Sequence, residues 1–285
     1  MVNKWTDSEI ELLKELYPKY GKKETAKILN RSENAIAVKA RRLGIYRPHH
    51  TYNQDYFEEI NSSDKAYWLG FIYADGNVSV NPSNRNYEIS IELSIKDKHH
   101  LENFVKAINS DANIVCKSKQ PFKNKGIDKT YQTTSVRIYS KNITESLIKH
   151  NILPDKSNIS KRIEDFGVPD CYIWDFIRGY FDGDGSISTS THNITHYKYM
   201  RIGFVCHQKE FLLSLKDLFD NFDINAYVYE DRGNWNLHIR AIDSVEKFLN
   251  KIYDNPSTYL QRKHDKYLLL KEVARTSGDR CVVPD

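Results

Sequence analysis

The chain has 285 residues, 40% hydrophobic and 28% charged, with a formal net charge of +4, which is apolar material enough for two domains or more. No apolar run approaches the length that spans a bilayer, and Met1-Val2-Asn3-Lys4 leads into a polar segment without a signal-peptide core. The four cysteines (Cys116, Cys171, Cys206, Cys281) show neither a CxxC nor a paired Cys/His spacing, which argues against zinc and a disulfide framework and predicts a reduced, cytoplasmic setting.

The basic excess lies at the N-terminus: residues 1–50 hold eleven lysines and arginines against six acids, +5, leaving −1 for the rest. Thr6-x-x-Glu9 is a capping-box pattern that opens a first helix, which Pro18 is expected to close. A second short helix is predicted at about 23–29 and a third from Ser32 through NAIAVKARRLG to Gly44. In the third, Ile36, Ala40 and Leu43 share an inward face and leave Asn34, Lys39, Arg41 and Arg42 outside. This three-helix outline, from Trp5-Thr6 to Leu43-Gly44, resembles Myb/SANT-like and related prokaryotic helix-turn-helix domains. The resemblance implies a third helix in a DNA major groove, with Asn34, Lys39, Arg41 and Arg42 as contacts; by itself a basic amphipathic helix also reads as a solvated face. The module is placed at 1–46, and residues 47–61, with Pro48 and His49-His50, read as a linker.

Trp68 to Gly76 (WLGFIYADG) reads as the end of a helix with small residues at i and i+4, Gly70 and Ala74, stopped by Asp75-Gly76. Tyr87 to Ile95 then alternates strictly, with Ile89, Ile91, Leu93 and Ile95 on one face. A helix at about 97–108, a hairpin ending in TTSVRIY and a helix at about 143–150 follow. The hairpin loop carries Lys117, Lys119, Lys123, Lys125 and Lys129, a set that suits backbone phosphates or a solvated loop. Leu153-Pro154-Asp155-Lys156 comes next.

Ile177 to Gly185 (IRGYFDGDG) repeats the first motif with Gly179 and Gly183 as its small residues, and its Asp184 lies 109 residues beyond Asp75. The same elements recur: a strand at 199–206, a helix at 209–222, a hairpin at 226–240 turning at Asp231-Arg232-Gly233-Asn234, and a helix at 242–252. Leu260-Gln261-Arg262-Lys263 then matches the earlier Leu-x-x-Lys, 79 residues past Asp184 where Lys156 is 81 past Asp75. The non-core strand faces carry Ser90, Ser94, Arg137 and Tyr139, then Tyr199, Arg201, Asn236, His238 and Arg240. Side chains so spaced can read base edges; an ordinary solvated sheet face is the alternative. Residues 274–285 read as a flexible tail.

A glycine inside a helix costs roughly 1 kcal/mol relative to alanine, so a repeated pair of small residues needs a packing reason, and close approach of two helices is one. If the motif helices cross on these faces, Asp75 and Asp184 meet at their C-terminal ends, with Gly76 and Gly185 leaving in left-handed caps. Two carboxylates there repel each other and oppose both macrodipoles, a conflict that a divalent cation removes. Hard oxygen ligands with room for water and phosphate oxygens suit Mg²⁺ or another divalent ion such as Mn²⁺. One Asp-Gly alone is an ordinary helix end; the matched copy is what favours the metal reading.

The two segments resemble the LAGLIDADG motif of homing endonucleases in its single-chain, two-motif arrangement, over roughly residues 60–270. The resemblance implies an α+β fold, with pseudo-symmetric αββαββα halves at 62–160 and 161–273 packed through their motif helices. It also implies that Asp75 and Asp184 hold the catalytic metals and that Lys156 and Lys263 lie near the scissile phosphates. Lys96 and Gln208, at the ends of the first strands, are candidates for the same water network. Tyr73 stands where the motif usually has an acid, at a mainly structural position where the second copy keeps Asp182. The implied activity is metal-dependent double-strand cleavage of DNA at a long site, leaving 3′ overhangs, by a monomer. The same scaffold also implies a catalytically inactive DNA-binding transcription regulator or an RNA maturase for a host intron. Regulators of that kind typically lose motif acids, and both acids and both lysines are present here.

Overall fold

The computed structural model describes residues 4–45, 51–83, 86–119, 131–154, 161–191 and 198–277. They fall into two compact units that divide after Thr51.

The first unit consists of α1 (Asp7–Ile28) and α2 (Glu33–Leu43). The capping box forms as expected: the Thr6 hydroxyl accepts from Glu9 N at 3.3 Å, and the Glu9 carboxylate accepts from Thr6 N at 2.8 Å. Pro18 does not close the first helix. The helix continues past it to Gly21, whose φ of 70° breaks the helical geometry, so α1 is two helices joined at a kink and its stretch after Gly21 is the expected second short helix; that backbone state is open to glycine and strained for most other residues. Ser32 caps α2, accepting from Ala35 N at 3.2 Å, and Gly44 ends it at φ 70°. Ile36 and Ala40 are buried, with Leu13 and Ala26 also in the core of this unit. Leu43 is not inward: at 39% exposure it lies past the edge of this small core. Arg31 ties the module together, 2.8 Å from Glu9 and 4.4 Å from the Trp5 ring centroid.

The second unit runs through one element order twice. The first pass is α3 (Ser63–Asp75), β1 (Gly76–Asn81), β2 (Asn86–Ser94), α4 (Lys98–Ala107), β3 (Val115–Lys119), β4 (Tyr131–Tyr139) and α5 (Lys141–Lys149). The second is α6 (Ile173–Asp184), β5 (Ser186–Thr191), β6 (Lys198–Cys206), α7 (Lys209–Asp220), β7 (Ala226–Asp231), β8 (Asn234–Ile239) and α8 (Ile242–Tyr253), after which comes α9 (Gln261–Ser277). Each pass makes a four-stranded antiparallel sheet, ordered β1-β2-β4-β3 and β5-β6-β8-β7. This is the αββαββα pair that the motifs implied. Registers such as Ile89 opposite Ile138 and Phe204 opposite Leu237 put the apolar alternation of each sheet on one buried face. Arg232 and Gly233 both take positive φ, 51° and 79°, and close the β7–β8 hairpin in two residues at the expected turn.

The two sheets share one core, and the motif helices run through it. All nine residues from Ala66 to Ala74 are buried in α3, as are Phe176 to Asp182 in α6; a helix apolar on every side belongs inside a fold. The segment expected as a linker contributes to this core: Tyr56, Phe57 and Ile60 are buried in it, and the Tyr52 hydroxyl donates to Tyr139 O at 2.9 Å. Its polar composition concealed three apolar anchors. At the other end α9 extends to Ser277, into the stretch expected as tail, and 278–285 lie outside the described residues. Among the described residues no helix is long and apolar enough to cross a membrane.

Candidate functional site

The crossing of α3 and α6 is set by the small residues. A Cβ on Gly179 would clash with the Tyr67 carbonyl oxygen and lie 2.8 Å from Phe71 N; one on Gly70 would clash with the Phe176 carbonyl oxygen and lie 2.9 Å from Tyr180 N. Backbone therefore lies on backbone, and the helix ends converge. A Cβ on Gly183 would be 3.4 Å from the Asp75 carboxyl group, so Asp75, half-buried, lies beside the residue preceding the exposed Asp184. The glycines after the acids are not left-handed. Gly76 and Gly185 are extended, at φ −79° and −75°; they are required because a Cβ would meet the Ile72 carbonyl oxygen in one case and the Phe181 ring and carbonyl in the other.

Beneath the acids lies a buried polar network. Asp182, fully buried, accepts from the Tyr67 hydroxyl at 2.8 Å, from Leu260 N at 2.7 Å and from the Tyr253 hydroxyl. Burial raises its pKa, opposed by the Lys263 charge and these donors, while burial and Asp182 itself hold both phenols well above the ordinary range, so both remain donors. Because the one Tyr67 proton goes to Asp182, the His100 Nε2 that lies 3.0 Å from that hydroxyl is the protonated nitrogen. Burial, before any neighbouring charge, lowers His100 to about 3, so its ring is neutral.

Lys263 comes to the site but not to a free position in it. Its ammonium, 3% exposed, donates to the main-chain carbonyls of Phe181, Asp182 (2.9 Å) and Gly185, so its three protons cap the end of α6. In this arrangement it holds the backbone that carries Asp184 instead of reaching toward a phosphate. Burial pulls its pKa down to about 8, with Asp182, Asp75 and Asp184 opposing, which places all three acids within its electrostatic reach. Lys156 lies outside the described residues.

Asp184 opens onto a cavity of about 280 Å³ whose wall includes Tyr73, Ala74, Cys206, His207, Gln208 and Asn234. Gln208, buried, accepts from the Tyr73 hydroxyl at 3.2 Å, so the non-acidic position of the first motif reaches across to the second half. Lys96, its counterpart by position, lines a separate cavity of about 450 Å³ with Asp97 and His99. Among the described residues no three His, Cys, Asp or Glu side chains cluster as a metal cage. Carboxylates at the ends of two crossing helices suit Mg²⁺ or Mn²⁺, which keep several coordination positions for water and phosphate oxygens.

The open sheet faces hold the other predicted residues. On the first, Ser90, Ser94, Arg137 and Tyr139 share a face with Glu88 and Glu92, and Arg137 lies 3.4 Å from Glu88. On the second, Arg201, Asn236, His238 and Arg240 lie together, joined by Tyr227 and Tyr229, which sequence reasoning passed over although AYVYED alternates. The side chain of Tyr199 lies outside the described residues, as do those of Lys119, Lys123, Lys125 and Lys129; Lys117 is exposed on β3. In the first unit Asn34, Arg41 and Arg42 are exposed on α2, and Lys39 is half-buried, 5.7 Å from the Trp5 ring centroid.

Comparison with known proteins places this architecture. A WhiA LAGLIDADG-like domain matches residues 64–127 and a LAGLIDADG-like domain matches 172–253. A mutant of I-SmaMI aligns with a TM-score of 0.52 at 12% identity, over 75% of this chain and 92% of that one. The homing endonuclease I-WcaI, bound to its DNA recognition sequence, aligns with a TM-score of 0.51 at 14% identity, over 74% and 91%. The chain has the LAGLIDADG fold. Its LAGLIDADG helices are α3 and α6, with Asp75 and Asp184 at their ends. It is also 32% identical over 119 residues to the probable cell division protein WhiA of Alkaliphilus metalliredigens, over 38% of this chain and 35% of that protein. The chain thus spans about a third of the length of that relative.

Proposed function

We propose that the protein is a site-specific DNA endonuclease that breaks both strands of a long recognition site and leaves 3′ overhangs. The observation that carries the reading is the pair of acids at the ends of two helices packed backbone to backbone, with a cavity at Asp184. Asp75 and Asp184 would hold Mg²⁺ or Mn²⁺, whose charge offsets that of the phosphate and acidifies a water. Lys263 fixes the α6 terminus, so the spacing of the two carboxylates is set before DNA arrives. Gln208 and Tyr73 present polar atoms to the cavity at Asp184, where they can orient water. The sheet faces would lie on the duplex, and α2 of the first unit would lengthen the footprint through Asn34, Lys39, Arg41 and Arg42. The DNA-bound state of I-WcaI supports duplex DNA as the partner, and one chain supplies both motifs, so a monomer suffices.

Incubation of the full chain with a plasmid library in Mg²⁺ tests the proposal. The wild type linearises a sequence-defined subset, while Asp75→Asn and Asp184→Asn keep specific binding and lose double-strand cleavage. Cutting by both variants at the wild-type rate removes the acid pair as the active site. The match to WhiA favours a second reading, a DNA-binding protein that does not cleave; it predicts specific duplex binding and no Mg²⁺-dependent nick. Tighter binding of structured intron RNA than of duplex would instead support a maturase.

A further inference from the structure

We infer that the open face of the second sheet is the sequence-selective half of the DNA-binding surface, with Arg240 as a guanine-reading side chain held ready by Tyr227 and His238. The inference rests on the DNA-binding part of the proposed function and requires no cleavage. The Arg240 guanidinium lies 4.6 Å from the Tyr227 ring centroid, and its terminal nitrogen is 3.2 Å from His238 Nδ1. The Tyr229 hydroxyl is 3.1 Å from the same ring nitrogen, and the Tyr227 and Tyr229 rings stack at 5.9 Å. Burial, and then Arg201, lower His238 below its usual range, so the ring is neutral and can accept from Arg240. A side chain at Gly203 would crowd His238, its Cβ being 3.2 Å from the ring.

The arrangement has a cost that no ion pair among the described residues offsets. Carried one residue beyond the Ile202–Ile239 pair, the β6–β8 register sets Arg201 opposite Arg240, and like charges so opposed destabilise a sheet. Among the described residues neither arginine has an ion-pair partner. A guanidinium whose plane is fixed by stacking and whose outer edge is open suits a ligand that presents two acceptors side by side. Guanine O6 and N7 in the major groove are such a pair. The first sheet is different: its Arg137 is paired with Glu88, whose side chain is only 13% exposed, and Glu92 shares that face. That face is largely neutralised by its own acids.

Arg201 and Arg240 could instead take phosphates, and Arg240→Lys separates the two cases, because lysine keeps the charge and loses the fork. The full chain is selected against a random-sequence duplex library in Ca²⁺, alongside Arg240→Lys and Tyr227→Leu. The wild type is expected to enrich a site in which one half carries a guanine preferred about tenfold or more over adenine, the discrimination of a bidentate contact. Arg240→Lys should flatten that position alone, and Tyr227→Leu should weaken the same position. A guanine preference that survives Arg240→Lys, or uniform weakening at every position as for a phosphate contact, overturns the inference. If the wild type enriches no sequence over the input library, the DNA-binding reading falls with it.

Discussion

Gly179→Ala adds one methyl group to the crossing of α3 and α6, and two principles assign it opposite signs. Helix propensity alone favours alanine by about 1 kcal/mol in a helix interior. Packing opposes it. The new Cβ would overlap the Tyr67 carbonyl oxygen and lie 2.8 Å from both Tyr67 C and Phe71 N, all main-chain atoms of α3. No rotamer relieves a clash with backbone, so the helices must separate until ordinary contact is restored. Overpacking of this kind costs about 1–3 kcal/mol, and more where backbone must move. Here the displaced elements are the two most buried helices in the unit, which places the cost at the upper end. The net expectation is a loss of about 2 kcal/mol, read as a lower urea midpoint at unchanged m-value. Gly70→Ala should cost a similar amount. The double variant should cost less than the two together, because one separation of the helices relieves both clashes. Because Asp75 and Asp184 lie at the ends of these helices, the proposed Mg²⁺-dependent cleavage should fall further than stability does. A Gly179→Ala protein as stable as wild type, or more so, would refute the backbone-on-backbone crossing.

Three further outcomes follow from the same contacts. His100 is neutral and buried at about 3 in the folded state against 6.5 when free, so the unfolded state binds the extra proton first and stability falls as pH drops below 6.5. The loss from this group by about pH 5 is roughly 2 kcal/mol, and chemical denaturation should show a shallower acid dependence in His100→Gln. Asp182→Asn sets an amide against three donors and Lys263→Met strands three buried carbonyls, so each should cost about 1–3 kcal/mol, and a double-mutant cycle should return a coupling of at least about 1 kcal/mol; simple additivity would separate the two groups energetically. In the first unit, Thr6→Ala removes the α1 cap and should cost about 1 kcal/mol, measured by thermal melting.

Much of the architecture was legible along the chain because it depends on short-range periodicity. Strict alternation at Ile89, Ile91 and Leu93 predicted a half-buried strand, Arg232-Gly233 a tight turn, and Thr6 with Glu9 a helix start. The two nine-residue copies disclosed the pseudo-symmetry and the acids together. Local composition misled where the environment decided otherwise. The helix break falls at Gly21 and not at Pro18, and Tyr56, Phe57 and Ile60 belong to the core although their neighbours are polar.

The amino-acid order alone thus determined which strand residues face inward, where the capped helices begin and that two acids occupy equivalent places, since each depends on short-range spacing or on a repeated motif. Only the tertiary structure decided that Lys263 spends its protons on the carbonyls of Phe181, Asp182 and Gly185, that Gly76 and Gly185 are needed for clearance, and that Arg137 is paired while Arg240 is stacked. The energy of a buried charge or of a clashing carbon depends on which atoms lie within a few ångströms. For Lys263, those atoms belong to residues about eighty positions away in the chain.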